Sequence, residues 1–132
     1  MPALRGMVLY YNAGSPQEGS RAKAVFAAHR LRIKNITPEE LGRSVGSFTG
    51  LLPAGEAPAG EPIPESMMVF SGVRGRELDQ VLSALLRAGV PRAVYKAVVT
   101  PGNAGWDFYR LYEELRRERA AVEGAPAPEE AP

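Results

Sequence analysis

Most of the residues of this chain that could bind a ligand lie between Val94 and Trp106. Lys96 stands in an otherwise apolar strand pattern, and Thr100 and Asn103 follow at the turn after it. A lysine near a strand end can hold an anion, but a lysine on an edge strand also blocks unwanted pairing between sheets. We favour the edge role for Lys96 and a packing role, rather than base or ligand stacking, for Trp106.

A second candidate is the glycine-rich segment that follows the first predicted strand and opens a predicted helix. It comes close to the phosphate-binding pattern G-x-x-x-x-G-K-[ST], but Ser20 replaces the lysine and Arg21 replaces the magnesium-binding hydroxyl. Glu18 would also face a phosphate with a negative charge. These departures from the pattern argue against a nucleotide triphosphatase. Two interpretations stay open: a plain turn with an N-cap, or a helix start that binds a simple anion.

Several kinds of chemistry lack the side chains that they need. The chain has no cysteine and a single histidine, His29, so thiolate chemistry, a histidine-based dyad and a Cys/His metal site are not predicted. We therefore expect no catalytic residue, no metal and no cofactor. The candidate ligand-binding residues are Asn12, Ser71, Lys96, Thr100, Asn103 and Trp106.

The charge of the chain is small, at a formal net value of +1, and it is uneven. The part of the chain before the acidic C-terminal tail is mildly basic. Its basic residues form no stripe interleaved with aromatic residues, so we do not expect nucleic-acid binding. The apolar run at the N-terminus is too short for a signal peptide or a membrane span. We expect a cytoplasmic, soluble protein with no membrane partner.

The spacing of apolar residues predicts alternating strands and helices in one α/β domain over residues 1–122. Strands are predicted at 6–11, 31–36, 66–71 and 93–100, and helices at 17–30, 37–50, 75–88 and 103–122. Thr37 and Glu40 are predicted to form a capping box, and Asn103 to cap the last helix. Residues 53–64 are predicted to be a Pro/Gly-rich surface loop and 123–132 a disordered acidic tail.

The two halves of the chain share one order of features: strand, helix, strand, Thr-Pro and helix. This order indicates a βαβα unit used twice, with Met7-Val8-Leu9 aligned to Met68-Val69-Phe70. We favour a parallel sheet of order 2-1-3-4 with helices on both faces, because three of the strands are apolar on both faces. The alternative is a ferredoxin-like split βαβ sheet of order 4-1-3-2.

Strand direction decides whether the candidate residues can share a site. In a parallel sheet the carboxyl ends of all strands lie at one edge, which would bring Asn12, Ser71, Thr100 and Asn103 together. In the split fold the first two and the last two strands would end on opposite sides, and no shared site would form.

The second half of the chain also carries a longer motif. Its residues are Phe70-Ser71-Gly72, Ala88-Gly89-Val90, Lys96 to Pro101, Asn103, Trp106 and Glu114-Leu115. On these residues the chain, over about 66–122, resembles a bacterial family known as domain of unknown function 3783. The resemblance implies an uncharacterised small α/β protein and brings no established activity. The chain departs from the family at Arg74-Gly75, where members often have a serine or acidic cap, and at Gly105, an additional glycine.

The missing acid, base and nucleophile sets favour a small non-enzymatic binding or regulatory module with a protein partner. The alternative is an enzyme or sensor that binds a small anionic, phosphate- or nucleotide-like ligand at the carboxyl ends of the strands. Weak RNA binding is the third hypothesis, and a homodimer is left open.

Overall fold

Strands and helices alternate along the chain in the computed structural model, which describes residues 6–53 and 60–124, with side chains to residue 122. The strands are β1 (Gly6–Tyr11), β2 (Leu31–Asn35), β3 (Met67–Ser71) and β4 (Tyr95–Val98). The helices are α1 (Pro16–Ala28), α2 (Val45–Thr49), α3 (Gly75–Arg87) and α4 (Phe108–Gly124). None of the helices in the described part of the chain is long and apolar enough to cross a membrane.

Local sequence signals account for several boundaries. The hydroxyl of Ser15 accepts a hydrogen bond from the backbone N–H three residues later (3.1 Å), and Pro16 occupies the first position of α1. Gly89 follows α3 with a φ of 91°, the left-handed conformation that ends a helix. These residues act through local hydrogen bonds and backbone conformation.

The sheet has the order β2-β1-β3-β4, as predicted, and its two outer pairs are parallel. The central pair differs, because β1 and β3 run antiparallel, with Leu9 opposite Val69. The expectation of a fully parallel sheet is therefore corrected at one of the three pairings. The strands therefore finish at two opposite ends of the sheet. We call the end where β1 and β2 finish the Asn12 end, and the end where β3 and β4 finish the Thr100 end.

The direction of β3 follows from the path of the chain between β2 and β3. The chain first reaches the Thr100 end, where the N–H of Gly46 in α2 donates to the carbonyl of Ala104 (2.7 Å). It then returns to the Asn12 end, where the hydroxyl of Tyr11 donates to the carbonyl of Ile63 (2.7 Å). Because the chain crosses this face twice, β3 starts beside the finish of β1 and must run antiparallel to it.

The segment predicted as one helix over 37–50 is broken into a 3₁₀ turn at Pro38–Glu40 and the five-residue α2. Thr37 and Glu40 do form the predicted capping box. The helix does not continue because backbone groups beyond the turn bond elsewhere: the N–H of Val45 donates to the carbonyl of Trp106 (2.8 Å). Tertiary hydrogen bonds have replaced those that a continuous helix would make.

The predicted surface loop over 53–64 contains a core residue. Ile63 is only 3% exposed and packs beneath the sheet, and residues 54–59 lie outside the described part of the chain. Residues 125–132 of the predicted tail also lie outside it, and the backbone of 123–124 belongs to α4.

Helices cover both faces of the sheet, as predicted. On the first face α1 and α3 pack on inward side chains of the strands, including Val8, Tyr10, Met68 and Phe70. On the second face the segment with α2, together with α4, packs on Leu9, Tyr11, Met67 and Val69. The βαβα unit is thus used twice. Val8 and Met68 both point to the first face of the sheet, whereas Val69 points to the second. The sequence alignment of Val8 with Val69 is therefore wrong by one residue.

Candidate functional site

The antiparallel central pair distributes the six candidate residues over both ends of the sheet. Asn12 follows β1 at the Asn12 end, whereas Ser71 finishes β3 and Thr100 and Asn103 follow β4 at the Thr100 end. The shared edge expected of a parallel sheet is not formed. Any site that uses Thr100 and Asn103 does not include Asn12.

Asn12 builds the turn that precedes α1. Its Oδ1 accepts a hydrogen bond from the N–H of Gly14 (2.9 Å), and its Nδ2 donates to the carbonyl of Ser15 (3.0 Å). The carboxylate of Glu18 folds back against Gly14, so closely that a Cβ on this glycine would collide with it. A negative charge thus already stands beside the start of α1, which favours the plain turn and N-cap over an anion site there.

Lys96 lies on β4, which is an edge strand. The N–H of Tyr95 donates to the carbonyl of Ser66, the residue before β3 (3.1 Å), and the N–H of Val99 donates to the carbonyl of Phe70 in β3 (2.8 Å). Alternate residues of a strand direct their backbone groups to opposite sides. Lys96 and its even-numbered neighbours therefore direct their N–H and carbonyl groups outward, away from β3. The Nζ of Lys96 donates to the outward carbonyl of Val94 (2.8 Å) and to that of Arg92 (3.2 Å).

The ammonium group of Lys96 is half-buried and lies near other cations. Burial, followed by the positive charges of Arg119 and Arg92, lowers the pKa of Lys96 below its usual value of 10.5. Arg119 of α4 donates to the carbonyl of Ala93 (2.9 Å), and its guanidinium lies 3.7 Å from the centroid of the Tyr95 ring. Nothing in the sequence signals this contact, which arises only when α4 packs along β4.

Thr100 and Asn103 hold a tight turn after β4. The N–H of Thr100 donates to Oδ1 of Asn103 (2.9 Å), and the N–H of Asn103 donates to Oγ1 of Thr100 (3.1 Å). The Nδ2 of Asn103 also donates to the outward carbonyl of Val98 (3.0 Å). Lys96 and Asn103 together therefore cover two carbonyls of the open edge of β4, which fits the edge-strand interpretation.

The prediction that Asn103 caps the last helix is wrong. The helix starts at Phe108, and Oδ1 of Asp107 accepts the hydrogen bond from the N–H of Arg110 (2.8 Å) that an N-cap makes. The intervening residues form a turn instead, because the carbonyls of Ala104 and Trp106 accept hydrogen bonds from the segment of α2.

Trp106 is half-buried against the second face of the core. Its ring lies 4.4 Å from the guanidinium of Arg110, measured from the ring centroid to Cζ. Its backbone N–H donates to the carbonyl of Asn103 (3.0 Å). These contacts give Trp106 a packing role, with part of the ring left accessible at the surface.

Four of the six candidate residues line one shallow groove between the edge of β4 and α4, of about 400 Å³. We call it the β4–α4 groove. Its lining residues are Lys96, Ala97, Val98, Thr100, Gly102, Asn103, Trp106, Leu111, Glu114, Leu115 and Glu118. The lining combines an apolar floor with a rim that holds one cation and two carboxylates. Asn12 and Ser71 do not line it.

The comparison with known proteins bears on the same part of the chain. A family model described as Domain of unknown function (DUF3783) matches residues 66–122. These residues are a DUF3783 domain. No curated protein and no solved structure matches the chain.

The DUF3783 domain of this chain comprises β3, α3, β4 and α4, which is one of the two βαβα units. All residues that line the β4–α4 groove belong to it. Its sheet is completed by β1 and β2 from the first half, since β3 pairs with β1 along five residues. Within the described residues, no group of three or more His, Cys, Asp or Glu side chains could hold a metal ion.

Proposed function

We propose that the protein is a small non-enzymatic binding module that acts in the cytoplasm and binds a protein partner in the β4–α4 groove. The observation that supports this proposal is the lining of the groove. Half-buried apolar residues, among them Ala97, Trp106 and Leu115, form its floor, and charged residues surround them. An apolar centre with a polar rim is the usual composition of a protein-binding surface.

The hydrogen bonds of the polar residues also favour binding over catalysis. Lys96 donates to backbone carbonyls, and Thr100 and Asn103 bond to each other and to β4. These side chains shape the groove, and none forms a nucleophile–base pair. The absence of cysteine from the sequence agrees with a reducing compartment.

Two glycines of the same turn offer a matched test. Gly102 lines the groove, and a Cβ there would meet only Oγ1 of Thr100 at 3.6 Å, whereas Gly105 faces open space outside the groove. A photoreactive benzophenone amino acid placed at residue 102 in living cells is expected to give one defined protein adduct. The same amino acid at residue 105 is expected to give little or none of it.

The adduct also separates the alternatives. An adduct of twice the mass of the chain identifies a homodimer, and a different mass identifies another protein. The same adducts from both positions, or none from residue 102, would contradict a partner in the groove.

A small anionic ligand is the second proposal, supported by Lys96 in the groove and by the positive charges of Arg92 and Arg119, which act on Lys96. Glu114 and Glu118 on the opposite wall act against it. Thermal shift with phosphate, nucleotides and carboxylates at millimolar concentration tests it. Stabilisation that Lys96→Gln abolishes would support the anionic ligand, and no stabilisation by any of them would refute it.

A further inference from the structure

The chain has three lysines, and the structure gives them different surroundings. Lys23 is exposed on α1, and Lys34 forms an ion pair with Glu40 (2.9 Å). Lys96 is half-buried, and no ion pair joins it to a carboxylate in the described part of the chain. The three lysines therefore provide an internal comparison of amine reactivity.

The two hydrogen bonds of Lys96 orient its amine. A neutral amine has two hydrogens and one lone pair, and the carbonyls of Arg92 and Val94 each accept one hydrogen bond from Nζ. When these carbonyls hold both hydrogens, the lone pair points away from them. Because Lys96 lines the β4–α4 groove, a reagent that enters the groove can approach its amine.

The cations near Lys96 favour both the neutral amine and an anionic reagent, whereas the two carboxylates on the opposite wall of the groove act against the anion. Burial lowers the pKa of Lys96, and the positive charges of Arg119 on α4 and of Arg92 before β4 lower it further. Arginine stays protonated, and its guanidinium binds phosphate in two-pronged geometry. Glu114 and Glu118 face the groove from α4, and Glu114 is paired with Arg117 (3.3 Å).

We propose that Lys96 is an acylation site that reacts with acyl phosphates, in a reaction that does not depend on the proposed function. The neutral amine of Lys96 attacks the carbonyl carbon of the acyl phosphate. A C–N bond forms, the C–O bond to phosphate breaks, and the amine proton leaves with the phosphate as hydrogen phosphate. Arg92 and Arg119 hold the phosphate group during the transfer. The product is an uncharged amide that has one N–H left for the two carbonyls, so acylation changes the edge of β4.

The test uses the full chain and acetyl phosphate at neutral pH, with the acetylation of each lysine followed by mass spectrometry. Lys96 is expected to react at least about threefold faster than Lys23, since burial and neighbouring cations increase the share of neutral amine. Lys34, held by Glu40, is expected to react slowest. The advantage of Lys96 over Lys23 is expected to shrink as the pH approaches the usual pKa of lysine.

Charge-removing variants test the role of the arginines. Arg119→Gln and Arg92→Gln are each expected to slow acetylation of Lys96 and to leave Lys23 unchanged. Arg76→Gln removes an exposed charge from α3 and serves as the control, with no change expected at Lys96. If Lys96 in the folded wild-type chain reacts no faster than Lys23, the proposal is overturned. An equal preference for Lys96 with an uncharged acetyl ester would overturn the role of the arginines in holding phosphate.

Discussion

Removal of the hydroxyl of Tyr10 is expected to stabilise the protein. Tyr10 is 1% exposed on the first face of the sheet, and its hydroxyl has no hydrogen-bond partner among the described residues. Burial, with a smaller contribution from the negative charge of Glu18, raises the pKa of Tyr10 to about 12. The hydroxyl has therefore been withdrawn from bulk water without gaining a hydrogen bond to another described residue.

The size of the effect follows from the cost of an unpaired buried hydroxyl, which is about 1–3 kcal/mol in mutational data. Tyr10→Phe keeps the ring and its edge contact with Phe26, whose centroid is 5.7 Å away. We expect the free energy of unfolding to rise by about 1 kcal/mol, since the small space left by the oxygen offsets part of the gain. In a domain of this size the midpoint of thermal unfolding would rise by roughly 3–5 °C.

The next residue is the matched control. Tyr11 lies on the second face, and its hydroxyl donates to the carbonyl of Ile63 at 2.7 Å. Tyr11→Phe leaves that carbonyl without its partner and is expected to lower the free energy of unfolding by about 1–2 kcal/mol. The same chemical change thus has opposite effects at neighbouring positions.

Denaturant unfolding followed by the fluorescence of Trp106, the single tryptophan, measures both variants. The pH dependence has a defined sign, because the folded pKa of Tyr10 lies above its unfolded value of 10.0. The wild-type chain is expected to lose stability as pH rises from 10 toward 12, and Tyr10→Phe to lose less of it. If Tyr10→Phe destabilises the protein as much as Tyr11→Phe, the hydroxyl has a partner, such as a buried water, and the reasoning is refuted.

Three further substitutions, two of them with a matched control variant, test other parts of the fold. Glu40→Gln is expected to lower stability by about 1 kcal/mol at pH 7. Burial of Glu40 opposes its ionisation, but hydrogen bonds and a neighbouring lysine outweigh burial and lower its pKa below 4.5, so this difference should disappear as pH falls through the lowered value. Ile63→Ala should lower the free energy of unfolding by about 2–4 kcal/mol if Ile63 belongs to the core. Leu51→Ala changes a residue that is 57% exposed and should alter the free energy of unfolding by less than about 0.5 kcal/mol. Gly46→Ala would place a Cβ 2.9 Å from a backbone oxygen and should cost about 1–3 kcal/mol, while Gly105→Ala, in open space, should be close to neutral. Equal effects within either pair would contradict the packing described, and denaturant unfolding measures all of them.

Much of the candidate site was open to prediction because it depends on local pattern. Lys96 on an edge strand and the sharp turn after Thr100 follow from residue types and spacing, and both are present. The predicted helix cap at Asn103 is wrong, because Asp107, an equally good capping residue four positions later, caps the helix. Which of the two caps the helix depends on where α2 contacts the turn, and that contact joins residues far apart in the chain.

Arg119 illustrates the other kind of failure. Its position in a charged helix suggests only a solvated surface, yet it contacts Ala93 and Tyr95 and lowers the pKa of Lys96. The contact is set by the rotation and position of α4 against β4. Neither quantity is encoded in the spacing of charges along the helix.

The sequence by itself determined the number and order of the elements and the burial of both faces of the sheet, because apolar periodicity reports which side chains must leave water. Only the tertiary structure decided the direction of β3. An apolar strand has the same pattern in either direction, and the direction depended on the return of the chain past Ile63 to the Asn12 end. That return separates Asn12 from Thr100 and leaves the β4–α4 groove as the place where four of the six candidate residues meet.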